Sequence, residues 1–580
     1  MLLLTTAIAL AFSAIPCCLS IWPIPRSFDS GNQIIKLSNS FDISINFTNP
    51  PQDLLDAVTR TKDAIQTDQL GRLIVGRGSS DSEAFGSANT FHNLVLTIEQ
   101  SASAVRPIAT EAVASLDTRD ESYSLSVPLD GSAGVVSANT TLGLLRGLST
   151  FEQLWYTYNG TIYTSYAPLT ITNDNPAYVY RGFMLDTARN FFSVLDIKRT
   201  LDAMYLVKIN TFHWHITDSQ SWPIQIAQFP ELAQAGAYSA NQSFTPEDIQ
   251  DVVSYAGERG IDVLVVRFIF IQSIAIQLTS LLFQEIDTPG HTAIIGASHP
   301  DYVACYLSDW ITFAGEPPAG QLRLADATVA NFTAEVLAAV AKSLPSTMFS
   351  TGGDELDTAC YSADEPTQMI LNETGRTLFE ALDDFTATTH GALYTLGKTT
   401  VVWEEMVLEY NTTTLRNDTI VMVWISSDDA AAVVQKGYRI VHAPSNYFYL
   451  DCGAGEWIGN DPTGNSWCDP FKTWQESYTF DPLANISSDQ VSLVLGGEQL
   501  LWTEQSGPEN LDSIVWPRAA SSAEVFWTGD TLPDGFDRVG NISEALPRLH
   551  DVRYRMVQRG IKAIRLQPEW CALRPQACDG

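Results

Sequence analysis

The chain has 580 residues, 45% of them hydrophobic and 10% aromatic, which suits a barrel-sized domain plus a smaller one and argues against disorder. Its 67 acidic residues against 33 basic ones give a formal charge of −34, which excludes a nucleic-acid partner, because phosphate backbones need a basic footprint. An acidic surface of this kind favours solubility at mildly acid pH and says nothing about fold.

Residues 1–20 (MLLLTTAIALAFSAIPCCLS) are apolar and read as a secretion signal with cleavage near Ser20. Its removal takes Cys17 and Cys18 and leaves Cys305, Cys360, Cys452, Cys468, Cys571 and Cys578. An even count in an exported chain implies disulfides. Short loops favour Cys452–Cys468 and Cys571–Cys578, which leaves Cys305–Cys360. No CxxC spacing occurs, so neither a zinc site nor another metal or cofactor is expected. Ten N-x-[ST] sequons, at Asn46, Asn139, Asn159, Asn241, Asn331, Asn372, Asn411, Asn417, Asn485 and Asn541, point to a glycosylated, secreted protein.

Residues 21–45 carry no strong period and fit either a pro-segment or an opening strand. From Leu70 to Pro168 the pattern is strand, strand, helix: the apolar runs Leu73–Val75 and Leu94–Ile98, the alternating Tyr123–Val127, and a helix-spaced segment from Thr140 to Trp155. A small N-terminal α/β domain over 21–175 is expected. From Tyr180 strand-like runs recur, each followed by a helix-length segment: 181–186, 210–215, 261–265 continuing into an EID, 347–355, 400–405, 420–425, 439–451 and 492–502. Eight such units predict a (β/α)8 barrel over 176–580, with the active site at the C-terminal strand ends. Thr245-Pro246-Glu247-Asp248 opens one of the helices with an N-cap hydroxyl, a proline and first-turn acids.

The third unit is interrupted. Val266–Gln284 (VRFIFIQSIAIQLTSLLFQ) is nearly all apolar, yet Arg267 and its place inside a barrel repeat argue against a membrane span. Deleting these nineteen residues joins Val265 to Glu285 and restores a normal strand and loop. Its first two residues, an internal Leu-Thr and the final Gln can be encoded by splice donor, branch and acceptor signals, so the expectation is a retained intron.

The stretch Phe349-Ser350-Thr351-Gly352-Gly353-Asp354-Glu355 is a strand end, two glycines and two adjacent carboxylates. Neighbouring acids cannot flank a sugar from opposite sides, as a nucleophile and an acid must in ordinary retaining glycosidases. They can divide the work, one protonating a leaving oxygen while the other steers a group on the substrate. His213 and His215 have a plain reading as core histidines, and no third ligand in sequence supports a metal.

Together, Arg181-Gly-Phe-Met-Leu-Asp-Thr-Ala-Arg189, His213-Trp-His-Ile-Thr-Asp218, Glu285-Ile-Asp-Thr-Pro-Gly-His291, Gly352-Gly-Asp-Glu355, Val402-Trp-Glu-Glu405 and Gly496-Gly-Glu-Gln-Leu-Leu-Trp502 resemble family 20 glycoside hydrolases, most closely the fungal secreted β-N-acetylhexosaminidases. The resemblance runs from about Tyr123 to the C-terminus. It implies exo-acting, retaining release of terminal GlcNAc or GalNAc from chitooligosaccharides and glycans, with the substrate's own acetamido oxygen as nucleophile. By this resemblance Glu355 is the general acid and then base, and Asp354 orients the acetamido group and stabilises the oxazolinium ion. A neighbouring anion and partial burial are expected to keep Glu355 protonated. Trp403, Trp424 and Trp502 match pocket walls, and Tyr449 matches a donor to the acetamido oxygen. Arg181, Asp451 and Glu504 match residues that hold outer hydroxyls, and Asp218 and His291 match groups around the acid. N-acetylhexosamine-terminated oligosaccharides are the implied partners, with no membrane partner, and the resemblance implies a homodimer. The rival reading is a non-catalytic sugar-binding protein, should the insertion before Glu285 persist.

Overall fold

The computed structural model describes residues 19–99, 105–262, 284–343, 346–410 and 412–579. The N-terminal domain is a six-stranded sheet built from β1 (Phe28–Ile45), β2 (Thr90–Ile98), β3 (Tyr123–Val127), β4 (Gly134–Ala138), β5 (Tyr156–Tyr158) and β6 (Thr161–Asp174), in the order β1-β2-β4-β3-β6-β5. Residues 21–45 thus supply an opening strand, whose long run pairs with both β2 and β6. The alternation of Tyr123–Val127 is borne out, with Tyr123, Leu125 and Val127 buried. So is the helix after it, Thr141–Phe151, capped by the Thr140 hydroxyl accepting from Gly143 N. Leu73–Val75, expected as a strand, is a turn, and Val75 is exposed. Gly71, Gly76 and Gly78 surround that apolar triplet, and Gly76 and Gly78 take positive φ that a strand does not.

The second domain is a closed parallel barrel of β7 (Tyr180–Asp186), β8 (Thr211–Thr217), β9 (Gln284–Ile286), β12 (Met348–Ser350), β13 (Thr399–Trp403), β14 (Ile420–Val423), β15 (Arg439–His442) and β16 (Val494–Leu501). A two-stranded ladder, β10 (Val303–Ala304) with β11 (Gln321–Leu322), lies between β9 and β12. Seven of the eight predicted runs contain barrel strands, and the third contributes β9 through its Glu285-Ile286, while its residues 263–265 lie outside the described ones. The helix after Thr245 carries a full capping box, with Asp248 N donating to the Thr245 hydroxyl and Thr245 N to the Asp248 carboxylate. Among the described residues, no helix is long and apolar enough to cross a membrane.

Residues 263–283, most of the interrupting segment, lie outside the described ones, but their flanks are informative. Asp262 bridges Thr211 on β8, and Glu285 pairs with His215 on the same strand. The two partners on β8 are four positions apart, against twenty-three for Asp262 and Glu285. Removing the nineteen residues 266–284 makes both spacings four steps.

The domains meet across the N-terminal rim of the barrel. Glu121, just before β3, accepts from Arg146 Nε at 2.7 Å, Arg181 Nη2 at 2.6 Å and Asn210 Nδ2 at 2.9 Å. Both flanking guanidiniums outweigh the burial that opposes its charge, holding its carboxyl at about 2. All three cysteine pairs expected from loop length are formed, Cys305–Cys360, Cys452–Cys468 and Cys571–Cys578.

Candidate active site

One pocket opens where the barrel strands end. Arg189 lies just past β7, Asp354 and Glu355 past β12, Trp403 at the end of β13, Trp424 past β14, Tyr449 and Asp451 past β15, and Trp502 and Glu504 past β16. All of these line it, together with His291 from the loop after β9. In the turn after β12, Gly352 and Gly353 have φ of +65° and +96°, and a Cβ on Gly352 would collide with the Asp287 carboxylate. Only glycine lets that turn close over Asp287, whose Oδ1 accepts from Gly353 N at 2.9 Å. Glu355 itself adopts φ +48°, which turns its half-exposed side chain into the pocket while Asp354 stays buried.

Both acids crowd one atom. His291 Nε2 lies 3.2 Å from Glu355 Oε2 and 3.9 Å from Asp354 Oδ2. The other ring nitrogen, Nδ1, sits 3.1 Å from Asp218 Oδ1, and Asp218 Oδ2 pairs with Arg189 Nη1 at 2.6 Å. Burial opposes charge on His291, but Asp218 and the two catalytic-turn acids outweigh it and hold the imidazole well above its ordinary range. Burial also raises Glu355, and the facing imidazolium overcomes it, so the carboxyl lies below its usual value. Asp354 goes the other way, raised by burial and by the neighbouring Asp287. The direction for Glu355 is thus opposite to the one expected from a neighbouring anion and burial alone, because the facing His291 imidazole favours its charged form.

Aromatic rings form the wall. Trp424 stacks on Tyr449 with centroids 6.3 Å apart and planes at 14°, and Trp502 lies 6.4 Å from both Tyr449 and Trp403. Trp424 Nε1 donates to Glu405 Oε2 at 2.9 Å. Asp451 Oδ1 faces Trp502 N at 3.4 Å, and burial pushes the Asp451 carboxyl up to about 7. Glu504 is likewise raised by burial, against the pull of Arg189.

One assigned residue, Arg181, is placed differently, and Asp218 lies behind the acid, as matched, without reaching the pocket. Arg181 begins β7 and is fully buried at the opposite rim, where it binds Glu121 and the carbonyls of Lys208 and Tyr178 under Trp527. It is about 17 Å of strand away from the catalytic face, at roughly 3.3 Å per residue, so it cannot hold a sugar hydroxyl. Arg189, the last residue of the same motif, lines the pocket instead, with its guanidinium 4.9 Å over the Trp502 ring and Nη2 2.7 Å from Glu316 Oε1. Asp218 is wholly buried beneath Arg189 and His291 and does not line the pocket. Sequence reasoning missed Glu316, Trp457 and Trp467, which sit on long loops, and Gln505, next to Glu504 just past β16. Barrel polarity was the available signal for Arg189, since residues that follow a strand, rather than begin it, reach the site.

Paired acids, a cation and a tryptophan-lined recess at the C-terminal face of a parallel barrel define a carbohydrate-cleaving site. Residues 178–266 and 274–530 match glycosyl hydrolase family 20, catalytic domain, and residues 21–154 match the beta-acetyl hexosaminidase-like domain. A beta-hexosaminidase of Arthroderma benhamiae is 36% identical over 479 residues, covering 79% of this chain and 74% of that one. A chitooligosaccharidolytic beta-N-acetylglucosaminidase of Bombyx mori is 33% identical over 578 residues, 97% of this chain and 89% of that one. Among solved structures, a Flavobacterium johnsoniae chitobiase superposes with a TM-score of 0.70 at 25% identity, covering 94% of this chain and 73% of that one. The chain belongs to glycosyl hydrolase family 20. It is a glycoside hydrolase of the β-N-acetylhexosaminidase type.

Proposed function

We propose that the enzyme releases terminal non-reducing GlcNAc or GalNAc from chitooligosaccharides and glycans with retention, the substrate's acetamido oxygen being the nucleophile and an oxazolinium ion the intermediate. The observation that carries this reading is the approach of Asp354 and Glu355 to a single nitrogen, His291 Nε2. Two carboxylates so close together attack from one side only, so the second partner of a retaining displacement must come from the sugar. Asp354, buried beside Trp403, Trp424, Trp502 and Tyr449, faces an apolar recess suited to an acetamide methyl. Glu355 delivers the proton to the leaving oxygen, drawing on the one His291 Nε2 carries 3.2 Å away. Positive charge developing on the oxazolinium ring ionises Asp354, with Asp287 as the neighbouring acceptor for its proton. Arg189, Asp451 and Glu504 engage the outer hydroxyls, which makes the action exo.

The test compares 4-nitrophenyl N-acetyl-β-glucosaminide with 4-nitrophenyl β-glucoside. An internal nucleophile is worth roughly 7–11 kcal/mol, so the glucoside should react slower by a factor on the order of 10⁵ or more. Comparable rates would refute the reading.

We also propose that the active chain lacks residues 266–284, on the strength of the matched β8 register. The flanks then keep Glu285 and His291 in place, which disfavours the non-catalytic alternative. Secretion and glycosylation are supported by the three disulfides and by the sequons, since eight of the nine described asparagines are exposed. Leu19 is buried and the Ser20 hydroxyl accepts from Tyr166, so we place the signal cut before Leu19.

A further inference from the structure

Beneath the catalytic acids the barrel core is ionic rather than apolar. His213 and His215, at alternate positions of β8, meet Glu285 of β9 and Glu498 of β16. His213 Nδ1 lies 2.8 Å from Glu498 Oε1, and its Nε2 lies 3.3 Å from Glu285 Oε2. His215 Nδ1 lies 2.6 Å from Glu285 Oε1, and its Nε2 lies 2.7 Å from Asp218 Oδ2. Tyr180 donates to the other oxygen of Glu498 at 2.5 Å, and Ser350 donates to Glu285 Oε2 at 2.6 Å. All of these side chains are buried. Asp218 then meets His291, and His291 meets Glu355, so carboxylate and imidazole alternate without a break from Tyr180 to the catalytic acid.

The alternation dictates charge. A neutral imidazole has one N–H and one lone pair, so between two carboxylates it satisfies one and repels the other. Each core histidine faces a carboxylate on both nitrogens, which only the imidazolium form satisfies. Burial opposes this, and the flanking acids outweigh it, lifting both rings to about 9. Arg189 closes the upper end, 3.4 Å from His215 Nε2 and paired with Asp218. Buried ions of this kind gain little over apolar filling, which is what barrel cores normally hold. Fixed geometry is what they do supply: both oxygens of Glu285 and both of Asp218 are tied down.

We propose that His215, Glu285 and His213 are positioning residues for glycoside cleavage. They hold Asp218, which orients His291, which carries the proton that Glu355 passes to the leaving group. This rests on Glu355 being the acid.

The test exploits the leaving group. An alkyl N-acetyl-β-glucosaminide needs a proton on departure, whereas a 2,4-dinitrophenyl one leaves as a stable phenolate. For Glu285→Gln and for His215→Gln, the ratio of alkyl to dinitrophenyl kcat/KM should fall about tenfold or more, part of the ~10²–10⁴ that a positioned acid contributes. The double variant should be no worse than the poorer single, because the residues act as a unit. Both rates are read in one sample, so the ratio is independent of how much enzyme folds. His213→Gln gives the same readout one link further away. An unchanged ratio in all three variants, with equal loss on both substrates, would overturn the proposal. Loss of the leaving-group effect in Glu355→Gln itself would instead overturn the assignment of the acid.

Discussion

Excision of residues 266–284 gives the most direct check on the barrel. Asp262 and Glu285 already pair with β8 residues only four steps apart, while twenty-three sequence steps connect them. Closing a connection of about twenty residues on two fixed points costs roughly (3/2)RT ln n, about 2.7 kcal/mol. The shortened chain carries Val263, Leu264 and Val265 directly into the ladder between Phe212 and Trp214. Each restored backbone hydrogen bond adds a net ~1 kcal/mol, so the gain is about 5 kcal/mol. Chains with and without the segment, expressed in parallel, should differ in secreted yield, and the shorter one should melt several degrees higher. Its activity per titrated site should be equal or greater. A longer chain that is secreted, melts at the same temperature and turns over as fast would refute the reasoning, as would a transcript from active secretions that retains those codons.

Exchanging the two arginines of the first barrel motif should separate their roles. Arg189→Met is expected to raise KM tenfold or more in steady-state hydrolysis, because it removes the cation over Trp502. Arg181→Met should leave KM alone and lower Tm, because it strips a partner from Glu121. Stability should peak at mildly acid pH. Glu121, depressed from 4.5 to about 2, contributes stability fully present above about pH 4.5 and lost as pH falls towards 2. His213 and His215, raised from 6.5 to about 9, contribute stability fully present below about pH 6.5 and lost as pH rises through 9. Thermal melts from pH 3 to 9 should therefore show a plateau between those limbs, and a maximum above pH 8 would contradict it. Opening Cys452–Cys468 with paired serines should loosen the loop that carries Trp457 and Trp467 over the pocket, raising KM for chitooligosaccharides more than for aryl glycosides.

Much of this was legible because barrel chemistry is written at strand ends. The GGDE turn, the VWEE and GGEQLLW strands and the tyrosine–aspartate pair Tyr449 and Asp451 each carry a run of β-formers and its terminal functional groups together, so reading the strand also finds the site. Glu316 and Trp467 have no such marker, since long loops bring them in from places that no local pattern specifies. Arg181 was misplaced because the motif names both ends of one strand, and only strand direction says which end faces the ligand. The downward shift of Glu355 was not legible for a different reason: it comes from His291, sixty-four residues earlier in sequence, and two groups far apart in the chain reveal their coupling only when folded.

The seat of Glu121 bears on how this protein can be cut. Its carboxylate belongs to the smaller domain, yet it neutralises Arg181 in the first barrel strand and fixes Asn210 at the foot of the second. A fragment starting at residue 176 would expose a cation that has lost its counter-ion and a barrel without its base plate. The amino-terminal third is thus a structural subunit of the enzyme in all but covalent continuity, and miniaturised versions would need to retain it or redesign the surface it seals.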